Sequence, residues 1–312
     1  MDPLTAFDEP PEVEPPAPRR PLGARLEGVL RLVHPFPSIL DGAVVGLVAL
    51  VAGGDTATAL RLGASMTFLQ FAIGGLNDVV DAPVDHIGKP GKPIPAGLVT
   101  PDAARAIVVG AALLGLLLAA PSGLALLALA AIVLSIGGWY DLRAKGTTLS
   151  WLPFAVGIPL LPVFGWYGAA GSLPGVFLVL VPAAANAGTA LAIANAIVDM
   201  ERDDAAGIES VALALGPRRS GWLVLGLQGV VALLALATAA VVGAPAGWAL
   251  AVLLTACVPL AGAIVGLVAI YRGGGPGWRE LAWEIQAVGA GLLAVAWLGA
   301  LSAASGAATP PA

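Results

Sequence analysis

Asn77-Asp78-Val79-Val80-Asp81-Ala82-Pro83-Val84-Asp85 and Asn195-Ala196-Ile197-Val198-Asp199-Met200-Glu201-Arg202-Asp203 share one pattern, an Asn followed by an Asp four and again eight residues later. On a helix these positions lie on one face, so each stretch presents an amide and two carboxylates together. Pro83 is expected to disturb the first helix near its end and with it the direction of Asp85. Both stretches follow an apolar run long enough to cross a bilayer, and that coupling of grease to acid decides the fold.

The rest of the 312-residue chain is of the same kind: 58% of it is hydrophobic and only 11% charged, with mean hydropathy +0.90. A soluble domain carries about twice that charged fraction. Apolar runs of about 16 to 24 residues can each span a hydrocarbon core of about 30 Å at about 1.5 Å per residue. Nine are read, over 38–54, 57–77, 103–119, 122–140, 151–168, 174–195, 220–242, 246–270 and 281–302. The runs are continuous and rich in Leu and Ala rather than alternating, which argues against a membrane barrel. The expected fold is all-α, a polytopic nine-transmembrane-helix bundle. Small residues at Gly42 and Gly46, and at Gly262 and Gly266, are placed to let helices approach closely.

Residues 1–22 are rich in Pro and acid and are expected to form a disordered cytoplasmic tail. Residues 304–312 form a second tail, leaving 23–303 as the membrane domain. The N-terminal segment lacks the basic-then-apolar order of a secretory signal, so the first spanning helix is expected to direct insertion. Cys257 is the single cysteine, so neither an intrachain disulfide nor a thiolate metal cluster can form. With nine spans, every Lys and Arg except Arg61 falls on or beside the face that holds the N-terminus. The positive-inside rule makes that face cytoplasmic. An integral protein of a prokaryotic plasma membrane is expected, with no nucleic-acid partner.

Spans two and six run in the same direction, so the two acidic stretches arrive at the same depth, as in an internal repeat of four helices. An Asp at the centre of a spanning helix costs about 2.5 to 3.5 kcal/mol on insertion scales, and several in one cavity also repel. Divalent cations remove the repulsion, and Mg²⁺ takes a few carboxylate oxygens while leaving positions for water and phosphate. The expected metal ligands are Asn77, Asp78, Asp81, Asp85, Asp199 and Asp203, with Asp78 either a ligand or an orienting residue. Lys89, Lys92, Lys145, Asn195 and Arg202 are the candidate substrate-binding side chains, and Arg143 is placed to serve either as an anion ligand or as a topology signal.

These residues resemble the UbiA family of intramembrane prenyltransferases over nearly the whole chain from Arg31 onward. The family's N-D-x-x-D-x-x-x-D signature stands as Asn77, Asp78, Asp81 and Asp85, followed by Lys92-Pro93-Ile94-Pro95-Ala96-Gly97. Its second signature matches Asp199, Asp203, Ala206-Gly207-Ile208 and Leu215-Gly216, and Tyr140 to Lys145 resembles the family's Tyr and Lys after the fourth helix. Two positions depart from the pattern. Lys92 stands where Arg is usual and offers a point charge rather than a planar fork, and His34-Pro35 replaces a basic residue before Pro.

The resemblance implies Mg²⁺-dependent transfer of a prenyl chain from an isoprenyl diphosphate donor to a lipophilic acceptor within the bilayer. Asp81, Asp85, Asp199, Asp203 and Lys145 are then catalytic, with Lys89, Lys92, Tyr140, Lys145, Asn195 and Arg202 binding substrate. Phe68, Phe71 and Tyr140 are candidates to stabilise an allylic cation through their ring faces. Aromatic acids, naphthoates, tetrapyrroles and glycerol phosphates all serve as acceptors in the family, and apolar walls carry no legible code for choosing among them. Two other readings stay open: a terpene cyclase that keeps the ionisation and closes the cation on itself, and a transporter whose acids line an ion pathway.

Overall fold

The structure is a computed structural model that describes residues 21–306. The tails expected over 1–20 and 307–312 lie outside the described residues. Twelve α-helices make up the described chain: α1 (Leu22–Leu32), α2 (Pro35–Val51), α3 (Thr56–Gly88), α4 (Pro101–Ala119), α5 (Leu124–Trp139), α6 (Leu152–Gly157), α7 (Leu160–Ala170), α8 (Phe177–Ala206), α9 (Val211–Leu215), α10 (Pro217–Val241), α11 (Ala246–Tyr271) and α12 (Pro276–Ala304). Among the described residues there is no strand. Eight stretches are long and apolar enough to cross a membrane, or nine when α1 and α2, bent by 56° against each other, count as one.

Three differences from the sequence reading bear on function. Leu22, assigned to the tail, starts α1, whose Leu22, Leu26 and Leu30 are exposed one turn apart beside Arg25 and Arg31. That is the pattern of a helix lying in the plane of the interface. The fifth span is broken at Ile158-Pro159 into α6 and α7, where Pro removes a backbone donor. The third difference is that α3 and α8 run 11 residues beyond their expected ends at 77 and 195, to 88 and 206. Both acidic motifs are therefore helical throughout, and α3 continues past Pro83 to Gly88.

The helices close into a ring. α2 packs on α3, α3 on α4, and α5 joins this group; α8, α10, α11 and α12 form the other side, and α12 returns to both α2 and α8. A large apolar core links α2, α7, α8, α10, α11 and α12 through Val44, Val48, Trp166, Leu180, Leu293 and Trp297. A second, under α2 to α5 and α7, centres on Leu62, Met66, Leu69, Leu126 and Phe164. Lipid tails are as apolar as these side chains, so shape and close approach hold the ring rather than escape from water.

Two glycines show how close that approach is. A Cβ on Gly42 would fall 1.9 Å from Thr67 Oγ1 and 2.6 Å from the Gly63 carbonyl of α3. One on Gly262 would fall 2.9 Å from the Ala282 carbonyl of α12. At the opposite end from the acidic motifs, Arg61 donates to the Leu118 carbonyl at 2.7 Å and to Ser122 Oγ at 2.8 Å, closing the exposed end of α4.

Overpacking a tight helix contact costs about 1–3 kcal/mol. Gly42→Val is expected to lower the thermal midpoint of the purified protein in detergent, whereas Gly226→Ala, with nothing within 4 Å of its Cβ, should leave it unchanged.

Candidate active site

The last three turns of α3 point a row of acids at one ammonium group. Lys92 Nζ lies 3.0 Å from Asp78 Oδ1, 3.6 Å from Asp81 Oδ2 and 2.8 Å from Asp85 Oδ2. The contact to Asp85 is an ion pair by distance, but Oδ2 has no donor in hydrogen-bonding alignment. Burial pulls the Lys92 ammonium down, yet the close contacts with Asp85 and Asp78 outweigh it and hold its pKa above the ordinary lysine value. Lys92 is reached by a tight turn after α3 in which its carbonyl accepts from Ala96 N–H at 2.9 Å.

Asp78, expected as either ligand or orienter, is the most enclosed of the three, 2% exposed. Its Oδ1 also meets His34 Nε2 at 3.0 Å. His34 caps α2 with φ 48, the one non-glycine at positive φ among the described residues, a conformation His visits more readily than most residues. A Cβ on Gly74 would come within 3.2 Å of the imidazole, so that glycine makes its space. The His-Pro departure therefore stands inside the polar cluster.

From the other half of the ring, Asp199 of α8 accepts from Arg202 Nη1 at 2.6 Å and from Lys89 at 3.4 Å. The second bond ties the turn after α3 to the second motif. A five-residue π-type turn over Tyr140–Ala144 ends α5, and the Lys145 N–H bonds back to the Tyr140 carbonyl at 2.9 Å. Lys145 Nζ is thereby delivered to Asp81 in a short ion pair and stands within electrostatic reach of Asp203. Tyr140 feels Asp81, Asp141, Asp199 and Asp203 together. The two motifs converge.

Asn77 turns away from this group and donates to Asp141 Oδ1 at 3.0 Å, leaving Asp141 Oδ2 buried without a partner. Asp141 was missed from sequence because it sits inside the Tyr-to-Lys stretch, where only its neighbours drew notice. Asn195 has no side-chain hydrogen bond among the described residues. Arg279 of α12 grips Glu201 at 2.6 Å and pins the end of α8. Arg143 faces outward, exposed. Phe68 and Phe71 pack edge to face on each other at 5.7 Å.

Beneath the polar rim the ring holds a partly open cavity of about 130 Å³, and neither of those phenylalanines lines it. Its wall is apolar, with Val44, Ile158, Leu161, Leu180, Leu191, Leu293 and Trp297 among its members. Phe154, also in the wall, meets the Tyr140 ring edge to face at 5.4 Å, so the cavity begins where the acids end.

Residues 42–278 match the model of the UbiA prenyltransferase family. The chain belongs to that family. Digeranylgeranylglyceryl phosphate synthase of Natronomonas pharaonis is 30% identical over 209 residues, 65% of this chain and 74% of the relative. The enzyme of that name from Methanopyrus kandleri is 30% identical over 199 residues, 61% and 70% of the two chains. Among solved structures, an apo UbiA homolog from Aeropyrum pernix superposes with TM-score 0.67 at 20% identity, over 82% of this chain and 96% of that one. A UbiA homolog from Archaeoglobus fulgidus bound to GPP and Mg²⁺ gives 0.62 at 17%, over 85% and 99%. These two likenesses show the shared UbiA fold.

Removing one partner of an enclosed ion pair strands the other's charge, at a cost of about 3–5 kcal/mol when fully buried and less where water reaches. Lys92→Met, which strands Asp85 and takes one of two partners from Asp78 and from Asp81, is expected to lower the thermal midpoint measured in chelator, and Lys92→Arg to restore most of the loss.

Proposed function

We propose that the protein transfers a prenyl chain from an isoprenyl diphosphate to a lipophilic acceptor inside the bilayer, with Mg²⁺ as cofactor. The observation that carries the reading is the meeting of two Asp motifs from opposite halves of the ring, joined by Lys89 to Asp199 and by Lys145 to Asp81. That cluster stands next to an apolar cavity, reached through the contact of Tyr140 with Phe154.

The donor set fits Mg²⁺ in kind. It is all oxygen, drawn from carboxylates and one amide, and it includes the unpartnered Asp141 Oδ2 and the poorly satisfied Asp85 Oδ2. Among the described residues, no three Asp, Glu, His or Cys side chains surround one point, because the ammonium groups of Lys92 and Lys145 stand between the carboxylates as the neutralising cations. Asn77, Asp78, Asp81, Asp85, Asp199 and Asp203 would hold the metal once those lysines swing to the diphosphate. Bound there, Mg²⁺ supplies a Lewis acid that neutralises charge on the leaving group.

The chain's own groups do the rest. Lys89, Lys92, Lys145 and Arg202 donate to diphosphate oxygens, and Lys92 is protonated at any working pH because of its raised pKa. Preorganised donors of this sort stabilise charge that develops as the C–O bond breaks. Tyr140, held against Phe154, offers its ring face to the allylic carbon. The apolar wall keeps water from capturing that carbon before the acceptor does. The basic residues around the site orient this face to the cytoplasm, in a prokaryotic plasma membrane.

Asp81→Ala and Asp199→Ala are each expected to abolish diphosphate release from prenyl diphosphates while the variants still insert and elute as folded protein. Chelation of divalent cations should do the same to the wild type, reversibly on adding Mg²⁺. Full activity of either variant would overturn the reading.

A further inference from the structure

The cavity wall is apolar except for three side chains, Asp41, Gln228 and Trp283, and two of them carry a buried atom without a partner. Asp41, two turns into α2, opens onto the cavity with no hydrogen bond and no charged side chain in reach among the described residues. Gln228 of α10 is 1% exposed; its Nε2 donates to Gln286 Oε1 at 3.3 Å, but its Oε1 has no partner. Gln286 is itself committed, donating to the Ala282 carbonyl at 3.1 Å. The Trp283 indole N–H of α12 is likewise buried and unpartnered. A buried polar group without a partner costs about 1–3 kcal/mol, and two of them beside the open Asp41 carboxyl mark the complement of a ligand.

Two of these groups accept hydrogen bonds and one donates. No Lys or Arg lines the cavity, and its only charge is negative. A carboxylate-bearing aromatic acid would set anion against anion in a low-dielectric space, whereas a neutral hydroxyl can donate to Asp41 or Gln228 and accept from Trp283. Asp41 also stands at a useful depth. It lies seven residues along α2 from His34, whose imidazole touches Asp78 of the polar rim, a helical rise of about 10 Å. That puts it below the diphosphate end, beside the prenyl chain.

Resting on the prenyltransferase reading above, we infer that Asp41, Gln228 and Trp283 form the acceptor subsite, that the acceptor is a neutral lipophilic alcohol, and that Asp41 is its general base. The hydroxyl oxygen forms a bond to C1 of the prenyl group as the bond from C1 to the diphosphate oxygen breaks. The electron pair of the broken bond leaves with the diphosphate. The hydroxyl proton passes to the Asp41 carboxylate and is released to water after the ether product departs. The sum is alcohol plus prenyl diphosphate giving prenyl ether, diphosphate and a proton.

The test uses the purified full-length protein in nanodiscs with Mg²⁺ and geranylgeranyl diphosphate, offering either hexadecylglycerol or 4-hydroxybenzoate. Diphosphate, prenyl ether, prenylated benzoate and free prenol are each measured. The wild type is expected to make ether and no prenylated benzoate. General bases contribute about 10²–10⁴-fold, so in Asp41→Asn the ratio of ether to prenol should fall about 100-fold as water captures the allylic group. Gln228→Leu is expected to raise KM for the alcohol with kcat little changed, which a mere packing defect would not do.

An unchanged ether-to-prenol ratio in Asp41→Asn, or a wild-type preference for the aromatic acid, overturns the inference while leaving the prenyltransferase reading intact. Failure of the wild type to release diphosphate from any prenyl diphosphate overturns both.

Discussion

Negative charge gathered at the end of a greasy ring is the constraint to which most of this structure answers. Asp78, Asp81, Asp85, Asp141, Asp199 and Asp203 come together where water is scarce, and like charges so placed repel unless cations lie among them. Lys92 meets three of these acids, Lys145 a fourth contact on Asp81, and Lys89 with Arg202 holds Asp199. Each basic group arrives on an irregular segment or a helix end: the turn after α3, the π-type turn after α5, the last turns of α8. Such segments can re-aim a side chain without disturbing the ring.

The ring itself supplies rigidity. Small residues bring α2 against α3 and α11 against α12 so closely that a methyl group at Gly42 or Gly262 would strike the backbone of the neighbour. Close backbone approach fixes α3 in depth and rotation, and Gly188, whose Cβ would fall 2.3 Å from the Phe154 carbonyl of α6, does the same for α8. That precision matters because ion pairs weaken steeply with distance and because the acids on α3 and α8 must face one another to share cations. Below them the wall turns apolar within one layer of side chains, at Tyr140 and Phe154. Polar and apolar chemistry are thus stacked in layers, with charge at the rim and an apolar wall beneath it.

Much of this is legible in the amino-acid sequence, and for local reasons. Hydropathy locates spans because a bilayer demands about 20 apolar residues per crossing; the repeated Asn and Asp spacing reveals the acidic faces because a helix returns to the same side every four residues. The face carrying the basic residues follows from counting spans. Element ends were less legible. α3 passes Pro83 with Lys92 drawn against Asp78 and Asp85, α8 passes Asn195 with Arg279 holding Glu201, and α1 is too short and too mixed in composition to register as a span.

What the sequence by itself determined is the membrane setting, the helical class and the existence of two acid motifs, since each is a property of composition or of spacing along one helix. What only the tertiary structure decided is which groups meet. His34 reaches Asp78 across 44 residues of chain, Asn77 chooses Asp141 over its own motif, and Asp41, Gln228 and Trp283 come from three helices to one cavity. None of these encounters has a sequence signature, because contact between distant helices depends on their rotation and depth, which the close packing of the whole ring sets together.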